Sequence, residues 1–277
     1  MKFETHTIKK PLEDYIESIF HFEGFQPDHT IERVVPTGHI FIIFELDGFK
    51  RHTYDNTTLE PSGTYTQVWV SGNHSNHLSI SAHQNSEMLV VQLKPNGFYP
   101  IMHQPISKLT DKVIKAEDLF GSHILDVRKK ILNQIKVIDK FKVIEDWLLT
   151  RLDDTKTPNK ELTDLLQELR IMSIENHSAI ISAYPKTQKN LITQFKKHFG
   201  LTPKMFHRIY RFNEVLQEIH TKQCISWSQI AYQFGYSDQS HFIKEFNEFS
   251  GFNPQKFIVS DFHNEEPNFF PLDKKGD

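Results

Sequence analysis

The feature that most constrains the fold is a repeated pattern of phenylalanine, glycine and proline near the end of the chain. The spacing Phe-x4-Gly-x2-Pro-x2-Phe occurs at residues 195–206 and again at 246–257. The first phenylalanine continues an apolar stripe at helical spacing, and the glycine can adopt the left-handed conformation that ends a helix. Thr202 and Asn253 precede the prolines and can cap the next helix. The pattern predicts a repeated unit of helix, glycine stop and capped helix.

The residues before each copy predict a further helix and a short turn. In ISWSQIAYQFGYSDQ, Ile230 and Phe234 lie on one side of a helix, Gly235 makes the turn, and Ser237 is a suitable N-cap for the next helix. The first copy, NHSAIISAYPKTQKNLITQF, has the same outline, with Thr187 as the N-cap. Two helices joined by such a turn form a helix-turn-helix, whose second helix enters the major groove of DNA with its N-terminal residues leading.

Charge is unevenly distributed in this region, although the net charge of the chain is only −3. Residues 176–213 contain no acidic residue. The basic residues in this range are Lys186, Lys189, Lys196, Lys197, Lys204, Arg208 and Arg211. Such a block is typical of a surface that binds a polyanion, and a solvated helix face is the alternative.

The stretch I-A-x3-G-Y-S-D-Q-S-H-F-I-K-E-F-x4-G-F-N-P-x2-F at residues 230–257 resembles the signature of the AraC/XylS family of bacterial transcription regulators. The similarity covers about residues 160–260. It implies an all-α domain with two helix-turn-helix units joined by a long helix, here over 203–219, and double-stranded DNA as the partner. The residues that it implies for DNA contact are Lys189, Asn190 and Thr193 in the first unit and Gln239, Ser240, His241 and Lys244 in the second.

The first unit departs from the family pattern. Pro185 stands where the turn glycine is usual, and Thr193 stands where arginine is common. We therefore expect this unit to favour phosphate contacts through Lys189, Lys196 and Lys197 over contacts to base edges.

The first hundred residues predict antiparallel β-structure. TYTQVWVSG and HLSISAHQ alternate in polarity, and MLVVQLKP is a continuous apolar run that ends at a proline. Short strands separated by turn residues favour a barrel or a sandwich. RVVPTGHIFIIFELDG and LVVQLKPNGFYPIMHQP resemble, more faintly, the cupin-like sensor domains of one branch of the AraC/XylS family. That resemblance implies a β-barrel that binds a small-molecule effector.

The predicted fold class is α+β, with an antiparallel cupin-like β-barrel followed by an all-α tandem helix-turn-helix domain. The expected boundaries are 1–155 for the sensor domain, with helices at about 123–151, and 160–260 for the DNA-binding domain. Residues 261–277 are expected to form an acidic flexible tail. The helices at 123–151 either pack on the barrel of the same chain or form a dimer interface.

Metal and enzyme sites are the other classes to weigh in the β domain. His74, His77, His83 and Glu87 lie in one segment but lack the His-x-His spacing of metal-binding cupins. We expect these histidines at the surface or in loops, with no metal or other cofactor. The sequence has no paired-carboxylate motif, glycine-rich phosphate loop or Gly-x-Ser-x-Gly, and the single cysteine, Cys224, is expected in the core. A barrel enzyme fused to a DNA-binding module is therefore the minor alternative to a regulator.

Four aromatic residues of the β domain are candidates for the effector site. Phe41, Phe44, Tyr65 and Trp69 either line an apolar ligand pocket or belong to the barrel core. A ligand-independent regulator that uses the barrel only as a dimer scaffold is the other hypothesis. A homodimer is left open, and the resemblance implies RNA polymerase as a further partner.

The location follows from what the chain lacks. The N-terminus, MKFETHTIKK, has no long apolar run, and no stretch approaches 18 apolar residues. A single cysteine leaves no internal disulfide. We expect a cytoplasmic protein with no membrane partner.

Overall fold

The computed structural model describes residues 1–221, 225–259 and 269–273. The strands in these ranges are β1 (Lys2–Thr5), β2 (Ile16–Phe25), β3 (Ile31–Val34), β4 (Ile40–Glu45), β5 (Arg51–Tyr54), β6 (Pro61–Tyr65), β7 (Val68–Ser71), β8 (Leu78–Ser81), β9 (Ser86–Leu93), β10 (Val113–Lys115) and β11 (Phe269–Pro271). The helices are α1 (Phe98–Met102), α2 (Glu117–Phe120), α3 (His123–Leu132), α4 (Val137–Arg151), α5 (Lys160–Ile171), α6 (His177–Ser182), α7 (Gln188–Phe199), α8 (Pro203–Thr221), α9 (Trp227–Gln233), α10 (Gln239–Ser250) and α11 (Pro254–Val259).

The strands form two antiparallel sheets. The six-stranded sheet has the order β1-β2-β9-β4-β7-β10, and the five-stranded sheet has the order β11-β3-β8-β5-β6. The sheets face each other: Arg51 of β5 pairs with Glu45 of β4, and the Tyr65 hydroxyl of β6 donates to the Val113 carbonyl of β10. The predicted combination of an N-terminal antiparallel β domain and a C-terminal helical domain is confirmed.

The six-stranded sheet buries its outer face against the helices that follow it. Because side chains alternate along a strand, Ile40, Ile42 and Phe44 share one face of β4, and all three lie in one core with residues of α3 and α4. The Phe44 ring meets Trp147 of α4 edge-on, with 6.1 Å between centroids. The helices predicted at 123–151 thus pack on the sheet of the same chain, and Phe44 belongs to that core rather than to a space between the sheets.

The repeated unit forms as its sequence predicts. Gly200 and Gly251 end α7 and α10 with positive φ angles of 88° and 70°. The Thr202 hydroxyl caps α8, and the Asn253 side chain accepts from the backbone N–H of Gln255 at the start of α11. Both helix-turn-helix units share one apolar core with the long helix α8.

Residues 269–273 lie in the tail that was expected to be flexible, but the structure places a strand there. β11 pairs with β3, with Phe270 opposite Arg33. Phe270 is 1% exposed, and its ring lies 4.8 Å from that of Phe257, while the Asp273 carboxylate accepts two backbone N–H groups of the β domain. Burial of an aromatic ring and edge pairing order this segment. The rest of the predicted tail lies outside the described residues.

The described helices include none that is both long and apolar enough to cross a membrane.

Candidate nucleic-acid interface

The second unit presents the N-terminal end of α10 to solvent. The Asp238 carboxylate accepts from the backbone N–H of His241, with 2.8 Å between the atoms, and is the N-cap of α10. The prediction of Ser237 as N-cap is wrong by one residue, because the Ser237 hydroxyl donates to Asp238 instead. The hydrogen bonds from His241 and Ser237 lower the pKa of Asp238, so the cap stays ionised.

The predicted contact residues of this unit lie together. Gln239, Ser240, His241 and Lys244 are all exposed. The opposite face of α10 is fully buried at Phe242, so the helix cannot turn these side chains inward without exposing its apolar face. The arrangement places donors, acceptors and one cation at a helix tip, whose free N–H groups also attract anions.

The first unit has a similar outline but fewer free polar groups. Thr187 caps α7 by accepting from the Asn190 backbone N–H, as predicted. Lys189, Thr193 and Lys196 are exposed. The Asn190 side chain accepts from the Tyr184 hydroxyl, and the Thr193 hydroxyl donates to the Lys189 carbonyl. Two of its candidate contact residues thus already have partners within the domain.

Lys197 occupies a different place from the other predicted lysines. It is half-buried, and its ammonium group lies 5.2 Å from the centre of the Tyr99 ring in the β domain. This cation–π contact directs the side chain toward the domain interface. We therefore leave Lys197 out of the surface formed by the exposed residues Lys189, Thr193 and Lys196.

Two arginines of the basic block are neutralised within the helical domain. Arg208 and Arg211 of α8 both pair with Glu245 of α10, at 2.7 and 2.8 Å, and the Tyr236 hydroxyl donates to the same carboxylate. Glu245 is 2% exposed. Burial raises its pKa, but the two guanidinium groups outweigh burial and hold the pKa below its usual range. This cluster was not predicted, although an acidic residue on the apolar stripe with Phe242 and Phe249 signals it.

The histidine-rich segment does not gather into a metal site. His74 bonds to Ser71, His77 to the Glu248 carbonyl and His83 to Ser81, while Glu87 pairs with His21 and Lys140. The described part of the chain contains no group of three or more His, Cys, Asp or Glu side chains placed to hold a metal ion. Cys224 lies outside the described residues.

A second, smaller apolar cluster that contains aromatic side chains lies where the two sheets face each other. Phe41, Tyr65 and Trp69 face inward, and Phe41 and Tyr65 remain partly exposed. At one end, the Trp69 indole N–H donates to the fully buried Glu45 at 2.7 Å, and Arg51 pairs with the same carboxylate. Burial raises the pKa of Glu45 to about 6, although Arg51 and Trp69 act against it. The aromatic residues were predicted from the sequence, but this ion pair was not.

Family profiles match two parts of the chain. Residues 4–115 match a domain of unknown function (DUF6597), and residues 185–258 match a helix-turn-helix domain. No curated protein matches the sequence.

Solved structures of ToxT from Vibrio cholerae are among those to which the chain is similar. Apo ToxT, in a lysine-to-alanine variant, is 14% identical with a TM-score of 0.45, over 87% of this chain and 96% of that chain. Wild-type ToxT bound to an unsaturated fatty acid is 14% identical with a TM-score of 0.43, over 90% of this chain and 96% of that chain.

Proposed function

We infer that the chain is a sequence-specific DNA-binding transcription regulator whose residues 185–258 form an AraC-type helix-turn-helix domain. The family resemblance found at residues 230–257 is confirmed by this match. The observation that carries the inference is the exposed tip of α10. There Gln239 can make a bidentate contact to adenine, and Ser240 and His241 can contact phosphates or base edges.

The two units contact different parts of the DNA in this proposal. In the second unit, Gln239, Ser240, His241 and Lys244 contact the DNA, and Gln239 carries most base preference. In the first unit, the free cations Lys189 and Lys196 contact phosphates, supported by their exposure. Asn190 and Thr193 contribute less, because their side chains are engaged within the domain.

A small apolar molecule is the proposed effector, and the space between the two sheets is its proposed site. Partly exposed aromatic side chains such as Phe41 and Tyr65 are the surface that an apolar ligand would cover. Binding at this site would be measured on the full chain with a neutral dye such as Nile red. Met88 of β9 is the register partner of Glu45 in β4. The larger side chain of Met88→Trp should fill the proposed site and abolish dye binding, whereas unchanged binding would place the dye elsewhere.

The proposal gives the β domain a binding role rather than a catalytic one, and it needs no metal or cofactor. A second copy of the chain is a further proposed partner. Apolar side chains at the turn between α3 and α4 support it: Ile135 is 98% exposed and Ile138 is 55% exposed. RNA polymerase remains the partner implied by the family, and the cytoplasm is the compartment proposed for this activity.

Selection of binding sites from random oligonucleotides with the full chain tests the inference. The affinity for the selected site is then measured at several salt concentrations. We expect a strong box contacted by α10 and a weaker box about one helical turn away, contacted by α7. A single box would restrict base contacts to α10. Salt-sensitive binding with no enriched motif would contradict sequence-specific recognition by the free protein.

A further inference from the structure

The β domain completes the C-terminal end of α7, the second helix of the first unit. The Asn73 side-chain amide donates to the Phe199 carbonyl at 3.0 Å, and the Thr110 hydroxyl donates to the Gly200 carbonyl at 2.8 Å. Asn73 is fully buried. Carbonyls in the last turn of a helix lack partners within the helix, so these two donors from the β domain hold the end of α7 in place.

The β domain contacts the end of α10 in the same manner. Arg33 donates from Nη1 to the Ser250 carbonyl at 3.4 Å, and its guanidinium group lies 4.8 Å from the centre of the Phe252 ring. His77 donates to the Glu248 carbonyl at 3.4 Å. Arg33 is 7% exposed, so this contact is also shielded from water.

The two contacts fall on equivalent positions of the internal repeat. The shift that aligns Phe195 with Phe246 also aligns Phe199 with Ser250. Each contact uses a backbone carbonyl, so it does not depend on the different side chains at these two positions. The β domain therefore holds both DNA-facing helices at the same point, at the end opposite the DNA.

Each contact is attached to a different sheet. Asn73 follows β7 and Thr110 precedes β10, which are neighbours in the six-stranded sheet. Arg33 lies on β3 and His77 precedes β8, which are neighbours in the five-stranded sheet. A change in the distance between the two sheets thus becomes a change in the distance between the ends of α7 and α10.

We propose that Asn73 and Arg33 are positioning residues for DNA binding, which fix the separation of α7 and α10 according to the separation of the two β-sheets. The proposal rests on the proposed function, because it requires both helices to contact DNA. It extends that function by naming the link through which an apolar molecule between the sheets would alter DNA affinity.

The segment 269–273 strengthens the second contact. β11 places Phe270 opposite Arg33 in the sheet, and Phe270 packs in the helical core with Phe252 and Phe257. One short strand thereby joins the five-stranded sheet and the second unit. The first contact has no such strand among the described residues.

Hydrogen exchange on the full chain provides the first test. In Asn73→Ala, backbone amides at residues 196–202 should exchange faster than in the wild type, whereas those at 247–252 should not change. Arg33→Ala should give the reverse pattern. Thr110→Val removes one donor with little change in volume and should repeat the Asn73→Ala pattern if that variant folds poorly. Asn133→Ala, at an exposed position, is the matched control.

Spacing preference provides the second test, because simple domain packing would not affect it. Two base pairs inserted between the boxes of the selected site should weaken wild-type binding by about tenfold, since they rotate one box away from its helix. Asn73→Ala, Thr110→Val and Arg33→Ala should lose less than about threefold on the same insertion.

The outcomes separate this proposal from the proposed function. If the wild type selects no motif, the proposed function fails, and the exchange data alone decide whether the β domain holds the helix ends. If the wild type selects a two-box motif and the variants retain its full spacing preference, the positioning role is overturned even where exchange increases.

Discussion

Arg211 and Glu245 form a buried ion pair between the long helix α8 and α10, with 2.8 Å between Nη2 and Oε1. The Arg211 guanidinium also lies 4.0 Å from the centre of the Tyr236 ring, whose hydroxyl donates to Glu245. The carboxylate thus has cationic and neutral donors on several sides. Because a buried ion pair is directional, it fixes the rotation of α10 about its axis as well as its position.

Loss of this carboxylate should strongly destabilise the helical domain. Glu245→Ala leaves the buried guanidinium of Arg211 without its counter-charge, while Arg208 keeps Glu248, and should lower the free energy of unfolding by on the order of 3–5 kcal/mol. Urea unfolding of the full chain measures the change. Glu248→Ala is the matched control on the same helix: its carboxylate pairs with Arg208 at the surface and should contribute at most about 1 kcal/mol. Equal effects of the two substitutions would contradict the special role of Glu245.

Asp238, and not Ser237, should be the residue whose side chain stabilises the N-terminus of α10. Asp238→Ala removes the acceptor for the His241 N–H and should lower the unfolding free energy, because that N–H loses its cap. Asp238→Asn keeps an acceptor and should restore most of the loss. Ser237→Ala should change stability by less than either substitution of Asp238. Thermal unfolding of the three variants measures these differences. A larger loss from Ser237→Ala than from Asp238→Ala would restore the N-cap predicted from sequence.

The helical half could be predicted from sequence because its determinants are local. Gly200, Thr202 and Gly251 act within a few residues of their own positions, so the spacing alone identifies helix ends and caps. The shift from Ser237 to Asp238 shows the limit of such reasoning, since both residue types are good N-caps. Only the backbone geometry after Gly235 decides between them.

Long-range contacts could not be predicted in this way. β2 has the sequence IESIFHFEGF, in which charged residues and a glycine interrupt the apolar pattern, and it becomes a strand because β1 and β9 flank it. Asn73 and Phe199 meet through a backbone carbonyl, which leaves no complementary side-chain pattern in the sequence. The ion pair between Glu45 and Arg51 likewise depends on two sheets coming together.

The exposed lysines of α7 should account for the salt dependence of this unit. Each phosphate contact contributes about 0.9 to the slope of log K against log salt, so Lys189→Ala with Lys196→Ala should reduce the slope by about two. Lys197→Ala should leave the slope unchanged, because its ammonium group lies over Tyr99. Affinity for the selected site at several salt concentrations measures both. A reduced slope for Lys197→Ala would return this residue to the phosphate surface.

Gln239 should determine base preference at one position of the site. Gln239→Ala removes the bidentate contact and should relax preference there by about 1–3 kcal/mol, while affinity for other sequences changes little. Asn247→Ala, which alters an exposed amide on the C-terminal half of the same helix, should leave the selected motif intact. Selection with each variant compares the motifs, and an unchanged motif for Gln239→Ala would remove it from the base contacts.

Acidification should weaken the fold through buried histidines at the domain interface. His198 is 8% exposed, its ring meets Tyr99 edge-on, and its Nδ1 has no hydrogen-bond partner within the described ranges. Burial, helped by the neighbouring Lys197, lowers the pKa of His198 to about 4. An unfolded histidine binds its proton near pH 6.5, so stability is full above this pH and decreases as the pH falls toward 4.

Replacement of His198 should therefore flatten the pH dependence of stability. Between pH 7 and pH 4, His198→Phe should lose less unfolding free energy than the wild type, by on the order of 3 kcal/mol at most. Urea unfolding across this range measures the difference. His241→Ala, which removes an exposed histidine from the tip of α10, is the control and should follow the wild-type curve. Parallel curves for His198→Phe and the wild type would show that the ring is protonated without penalty in the folded protein, and that the interface around Tyr99 admits water.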